Sequence, residues 1–273
     1  MTVSLRHRLT KYGLLGIVLA SYAFLYLPIV HITLAAFSKN SNFPYPPIWS
    51  VASFFRLASN TVYQGALLNS LLIGVATGVL STIIAMYAAI GVIRYAGRRA
   101  LLFALFFSAP LFIAEILLGI STMALYFVLF DMSGNLVAAI LANTVHCFSF
   151  AFLIVGAQLY RHDWRMGEAA FVLGAGPIRT FFEVTLPLVW PSLLGAFLVS
   201  FIMSFNNLDI SFYVLGATPT LPSVAWGALR YGIKPELFAL ATTVNGVIAL
   251  LMGLMFALMR TGMMKFGYRP ERE

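Results

Sequence analysis

The chain has 273 residues, of which 61% are hydrophobic and only 10% charged, with a mean hydropathy of +0.92. Soluble domains hold about 45–50% apolar and about 25% charged residues, so no single water-facing globule hides this much apolar surface, and the chain needs lipid as solvent. The formal charge of +8 comes from short basic clusters at the ends of apolar segments, not from a basic patch interleaved with exposed aromatics, which argues against nucleic-acid binding. The single cysteine, Cys147, rules out an intrachain disulfide and a multi-cysteine metal site.

Six apolar segments are predicted, each long enough to cross a bilayer core that takes about 20 helical residues. The first, 12–37, follows Arg6, Arg8 and Lys11 as a signal peptide would. Its apolar run far exceeds an h-region of about 7–15 residues, so it reads as a retained helix, kinked at Pro28. A polar loop over 38–65 follows, with a short surface helix at 50–58. The second span is 66–93. A basic turn leads to the third span, 101–129, which carries Glu115 mid-way with Gly119 and Thr122 on the same side. A charge inside lipid is costly, so Glu115 faces either protein or a water-filled path, or it is protonated and bonded to a carbonyl. The fourth span, 135–159, carries Asn143, His146 and Ser149, with His146 read as a packed residue. The fifth span, 192–215, bears Ser200, Ser204, Asn207 and Ser211 at steps of four, three and four. That spacing places them on one helical face, either lining a translocation path or bonding to neighbouring helices. Asn206, Asp209 and Tyr213 form a second row, in which Asp209 can meet a cationic solute or an arginine. Residues 216–236, with Pro219, Pro222 and Pro235, read as a loop before the sixth span, 237–260.

Thirteen Lys and Arg residues fall on one set of loops and four on the other. The positive-inside rule puts the first set, and with it both termini, in the cytoplasm. The long segment 160–191 then lies in the cytoplasm too. Asp163 can cap a helix over 163–173, Gly174 and Gly176 end it, and Pro177 starts a second helix running to Pro187. Two short helices around a glycine break suit docking into a partner's groove.

That segment carries Glu168, Ala169, Ala170, then Gly174, then Val184, Leu186 and Pro187. The pattern resembles the EAA motif of binding-protein-dependent ABC importer permeases, with valine where isoleucine is commoner. The similarity extends over Asn69-Ser70-Leu71, over Pro110, Glu115 and Gly119, over Ser204-Phe205-Asn206-Asn207 and over Leu221-Pro222. It is strongest to the second permease subunit of spermidine/putrescine-type systems. The resemblance implies an all-α integral membrane protein of the type I importer fold in the bacterial inner membrane, its six helices forming a single domain over 1–273. It implies that Glu168, Ala169, Ala170, Gly174, Leu186 and Pro187 couple the subunit to a cytosolic ATPase. It makes Glu115, Ser200, Ser204, Asn206, Asn207, Asp209 and Ser211 candidates for the solute path. It implies as partners a second permease, two ATPase subunits and a periplasmic binding protein. ATP and magnesium then belong to the ATPase, and this subunit binds no cofactor and catalyses nothing itself. No Gly-rich Walker sequence ending in Lys-Ser/Thr occurs in the chain, as that division requires.

The expected cargo is a small polar solute: a polyamine first, then an amino acid, an opine or aminoethylphosphonate. Some polyamine permeases have acids where this chain has Asn206 and Asn207, and amides do not supply the charge a diamine meets. The competing class is a self-contained secondary transporter or channel, which needs intramembrane ion sites or broken helices. An intramembrane enzyme needs a nucleophile–base pair or a metal cluster, and four scattered histidines with one cysteine supply neither.

Overall fold

A computed structural model describes the backbone of residues 2–39, 47–131, 134–216, 218–230, 232 and 234–260. Side chains at 2–10 and at several positions beyond 250 lie outside the description, as does the basic C-terminal stretch 261–273. The described residues are almost wholly helical. Helix α1 is Thr2–Ala36, α2 Ala52–Ser59, α3 Thr61–Tyr95, α4 Ala100–Ser108, α5 Glu115–Phe130 and α6 Leu136–Tyr160. Then come α7 Arg165–Val172, α8 Pro177–Thr180, α9 Leu186–Phe205, α10 Asp209–Val214, α11 Leu221–Arg230 and α12 Pro235–Arg260. The chain divides into two compact units.

One unit takes in the chain up to Asn60 together with Gly227–Ala257. Here α1 is exposed at every residue from Lys11 to His31, as expected of a helix whose solvent is lipid or another chain. Pro28 sits inside it without breaking it. After α1 the chain turns back on itself, with Lys39 N–H donating to Ile48 O at 2.9 Å and Ser50 N–H to Phe37 O at 2.7 Å. The surface helix expected at 50–58 is α2, and its Arg56 pairs with Glu236 of α12 at 2.6 Å.

The other unit holds Thr61–Trp226. Its core is α3, α6 and α9. Along α3 most of the buried residues are small, among them Ala66, Ser70, Gly74, Thr77, Gly78, Ser81, Ala85 and Ala89, with Ile73, Met86 and Val92 the larger ones. Small residues let helix backbones approach closely in lipid, where burial of apolar groups supplies no driving force between helices. A Cβ on Gly78 would lie 2.9 Å from the Phe197 ring and 3.2 Å from the Phe197 carbonyl oxygen, so α9 fits only because that atom is missing. Asn135 caps α6 by accepting from Ala138 N–H at 2.8 Å.

Three segments differ from the sequence expectation. The third apolar segment, 101–129, is not one straight span. It breaks between Phe112 and Glu115, where the halves bend by 93°. Pro110 lies in a 3-10 turn over Ala109–Phe112, and Ile113 and Ala114 are extended. Pro110 donates nothing and clashes one turn back, so α4 ends at Ser108 and gives way to the 3-10 turn that precedes the break. Glu115 therefore begins a helix instead of lying mid-way along one. The fifth segment, expected at 192–215, is helical from Pro177 to Phe205, passes through Pro187 and Pro191, and stops at Asn206. A π turn over Phe181–Thr185 precedes Pro187, and its altered hydrogen-bond register accommodates the ring where a regular helix would end. The third is the expected loop at 216–236, which contains α11. Its prolines flank or open helices, and Thr220 accepts from Val224 N–H at 2.9 Å in the first turn.

Among the described residues, four helices are long and apolar enough to cross a membrane, and five when the bent pair counts as one span. Pro235–Leu250 is a shorter apolar helix. The chain is a multi-pass membrane protein.

Candidate functional site

Two sets of residues stand out: an elbow leading into the span Pro177–Phe205 and a polar cluster where the two broken helices meet.

The elbow is α7 and α8. Asp163 Oδ1 accepts from Arg165 N–H at 3.0 Å, and the Trp164 carbonyl accepts from Gly167 and Glu168 N–H at 3.1 and 3.3 Å. At the other end Gly174 takes φ +86°, a conformation that only glycine adopts freely. Ala175 N–H donates to Ala170 O and Gly174 N–H to Phe171 O, both at 3.0 Å, which closes a Schellman cap. Gly176 is extended and Pro177 opens α8. The second helix of the elbow does not stop at Pro187; it runs on into the span. Gly167 faces Thr180, where an added Cβ would make ordinary contact at 3.6 Å. Glu168 and Ala169 are exposed and Ala170 is half-buried. Val172 and Leu173 are each 88% exposed, and Phe171, Ile178 and Phe182 are exposed beside them. Leu186 packs on the α3–α6–α9 core, while Pro187 is exposed. Arg179 donates from Nε to both Glu183 carboxylate oxygens at 2.9 Å. Partial burial holds the His162 imidazole below its ordinary pKa of 6.5, with neighbouring Asp163 working weakly the other way.

The polar cluster joins three elements. Asn207, in the break between α9 and α10, donates from Nδ2 to Glu115 Oε2 at 2.5 Å. The same side chain accepts from Ile210 N–H through Oδ1 at 2.8 Å and so caps α10. His146 of α6 brings Nε2 to 3.1 Å from Glu115 Oε1, off the line of a hydrogen bond, with its side chain 6% exposed. The Glu115 side chain keeps 36% exposure. Helix α5 can lie this close to α10 because residue 119 is glycine: a Cβ there would stand 3.1 Å from Ile210 Cα.

The stripe Ser200, Ser204, Asn207, Ser211 is not the continuous helical face that its spacing suggests. The helix breaks after Phe205, and all four residues are buried within the chain. The Cys147 thiol of α6 donates to Ser200 O at 3.6 Å, which places this part of α9 against α6. Asn206 and Asp209 are exposed. Of the expected path residues, the structure gathers Glu115 and Asn207 into one cluster and leaves Asn206 and Asp209 accessible beside it in the chain. Sequence reasoning missed that His146 joins this cluster. The one signal was three polar residues in lipid that needed partners, but their pairing depends on two helix breaks. The Asn69–Ser70 pair has a local role. Asn69 Nδ2 donates to Pro219 O at 2.8 Å, and Ser70 Oγ accepts from Leu221 N–H at 2.9 Å, fixing the segment before α11 to α3.

Against known proteins, the chain is 30% identical over 231 residues to the spermidine/putrescine transport system permease PotC of Haemophilus influenzae, covering 81% of this chain and 86% of the relative. The chain belongs to the spermidine/putrescine-type permease family of ABC importers. It is also 27% identical over 241 residues to the putrescine transport system permease PotI of Escherichia coli K12, covering 86% of each. No family model matches. Among solved structures, a permease chain of a bacterial ABC transporter that imports the acidic polysaccharide alginate superimposes with TM-score 0.69 at 16% identity, covering 96% of this chain and 98% of that one. The MetNI methionine ABC transporter gives 0.54 at 20% identity, covering 74% and 92%. At these identities the agreement concerns the fold, which is that of ABC importer permeases.

Proposed function

We propose that this chain is a membrane-embedded subunit of an ATP-driven importer in the bacterial inner membrane, with six spans, both termini in the cytoplasm, and α7–α8 docked on a cytosolic ATPase. The observation that carries this reading is the elbow itself. Val172 and Leu173 are apolar, highly exposed and outside the long apolar helices, with Ile178 exposed beside them in the first turn of the helix Pro177–Phe205; Glu168 flanks them and Gly174 holds the shape. A patch of that kind marks a protein-docking surface, and a short helix laid in a groove is a recurrent recognition mode. Ala169 and Ala170 permit close approach, and Leu186 and Pro187 carry the elbow into the span. ATP and magnesium stay on the ATPase. A second permease completes the path, and a periplasmic binding protein delivers the solute. The relatives' names favour a polyamine, and the exposed Asp209 with the part-exposed Glu115 supplies negative charge that suits a cationic amine. The test is Glu168→Arg in the assembled complex: copurification of the ATPase and ATP-driven putrescine uptake both fall at least tenfold. Uptake at the parent rate in an intact complex refutes the docking role.

One observation favours a second reading. Secondary transporters use broken helices with polar groups at the break, and Glu115 and Asn207 lie at two such breaks. Uptake into ATP-free proteoliposomes under an ion gradient would establish that reading in place of the first.

A further inference from the structure

We propose that Arg94 is a positioning residue for the elbow: its guanidinium clamps Trp164 against the end of α3 and so fixes the direction in which α7 leaves the membrane-embedded core. The proposal rests on the docking role given to the elbow above.

Arg94 lies in the last turn of α3, with Cζ 5.4 Å from the centroid of the Trp164 ring and 5.7 Å from that of Tyr95. Both distances fall within the roughly 6 Å range over which a cation is held by an aromatic face, tryptophan being the strongest partner. No carboxylate stands within ion-pair distance of Arg94 among the described residues. A basic residue at a helix end serves topology wherever its charge points. Lying over an indole adds a specific contact to that general role.

Trp164 is placed to transmit that contact. Its ring packs on the core cluster formed by α3, α6 and α9. The His162 ring meets it edge-on, with centroids 4.8 Å apart and planes at 87°. Its carbonyl, by contrast, belongs to the elbow, since it accepts the N–H groups of Gly167 and Glu168 in the first turn of α7. One residue thus has its side chain in the core and its backbone in the docking helix. The α7 helix buries none of its own residues. Its aim depends on its two ends: the Gly174 cap joins α8, and Trp164 joins the core.

The test uses nitroxide labels at Leu173→Cys, on the exposed end of the elbow, and Tyr87→Cys, on the exposed face of α3. Cys147 is buried and stays unlabelled. Distances are measured by pulsed electron resonance in nanodiscs, on the permease–ATPase complex and on the permease alone. Arg94→Gln and Trp164→Leu should each lower the ratio of the principal distance population to the rest by roughly three- to tenfold, the factor a cation–π contact supplies. The double variant should do no worse than either single one, and Arg94→Lys and Trp164→Phe should restore most of the parent distribution. A parent-like distribution in Arg94→Gln, or additive effects in the double variant, overturns the proposal. Should Trp164→Leu fail to fold, Arg94→Gln and its lysine rescue decide. Absence of the ATPase from the purified parent complex refutes the docking role instead, and the distances in the permease alone still decide the role of Arg94.

Discussion

Replacing Asn207 by Ala removes two bonds at once. The amide Nδ2 loses its 2.5 Å bond to Glu115 Oε2, and Ile210 N–H loses its acceptor at 2.8 Å. A bond to a charged acceptor is worth about 1.5–3 kcal/mol, and a helix cap about 1 kcal/mol. Side-chain bonds between membrane helices measure lower, about 0.6 kcal/mol on average, because the unfolded chain in lipid also finds partners. The sum for Asn207→Ala is therefore about 2 kcal/mol. A double-mutant cycle with Glu115→Ala, which removes the acceptor, separates the two bonds, since only one of them involves Glu115. The coupling energy should be about 1 kcal/mol, with the remainder persisting in the Glu115→Ala background as the lost cap. Reversible unfolding in mixed micelles measures both. A coupling below about 0.3 kcal/mol, within the scatter of independent sites, would show that Glu115 and Asn207 do not hold the two broken helices together.

Other expectations concern the core, the loops and pH. Gly78→Ala should destabilise by about 1–3 kcal/mol, because the Phe197 carbonyl at 3.2 Å is backbone and cannot swing away; thermal unfolding in detergent reads this. Ser70→Ala strips the partner from Leu221 N–H, and hydrogen exchange at that amide should rise about fivefold, equivalent to about 1 kcal/mol. His162 has a lowered pKa in the folded state, so the unfolded chain binds its proton more readily. Its contribution is fully present above pH 6.5 and is lost as pH falls through the folded value. The thermal midpoint of the parent should therefore drop more than that of His162→Gln between pH 7.5 and pH 5.5.

Much of this architecture is legible in the sequence because lipid makes strong demands. A buried backbone must be helical there, so apolar length alone locates the apolar stretch Lys11–Ala36 of α1, and α3 and α6, within about five residues, while the polar start of α1 is not marked by it. The elbow is legible because its signals are local: Asp163, Gly174 and Pro177 each act on their immediate neighbours. The breaks are harder. Pro110, Pro187 and Pro191 are the same residue type in equally apolar surroundings, yet one ends a helix and two do not. Pro187 follows a π turn, which leaves no mark in composition, whereas Pro191, like Pro28, sits inside an α-helix with no such turn before it. The pairing of Glu115 with Asn207 follows from those breaks, so spacing along an assumed straight helix could not reveal it. The same assumption left Ser200 and Ser204 either lining a path or bonding to neighbouring helices, and both are buried within the chain.

The π turn has a consequence for timing within the helix. It amounts to one extra residue in an otherwise regular helix, and from Pro177 to Phe205 that helix is 29 residues, about 44 Å of continuous rod. Every residue beyond the turn carries an angular phase set by that insertion. Excising one residue from Phe181–Thr185 would rotate the rest by about 100°, carrying Ser200 off Cys147 of α6 and Asn207 away from Glu115. The elbow and the polar cluster are thus two ends of one shaft, and a five-residue coil near its base fixes how they are keyed to each other.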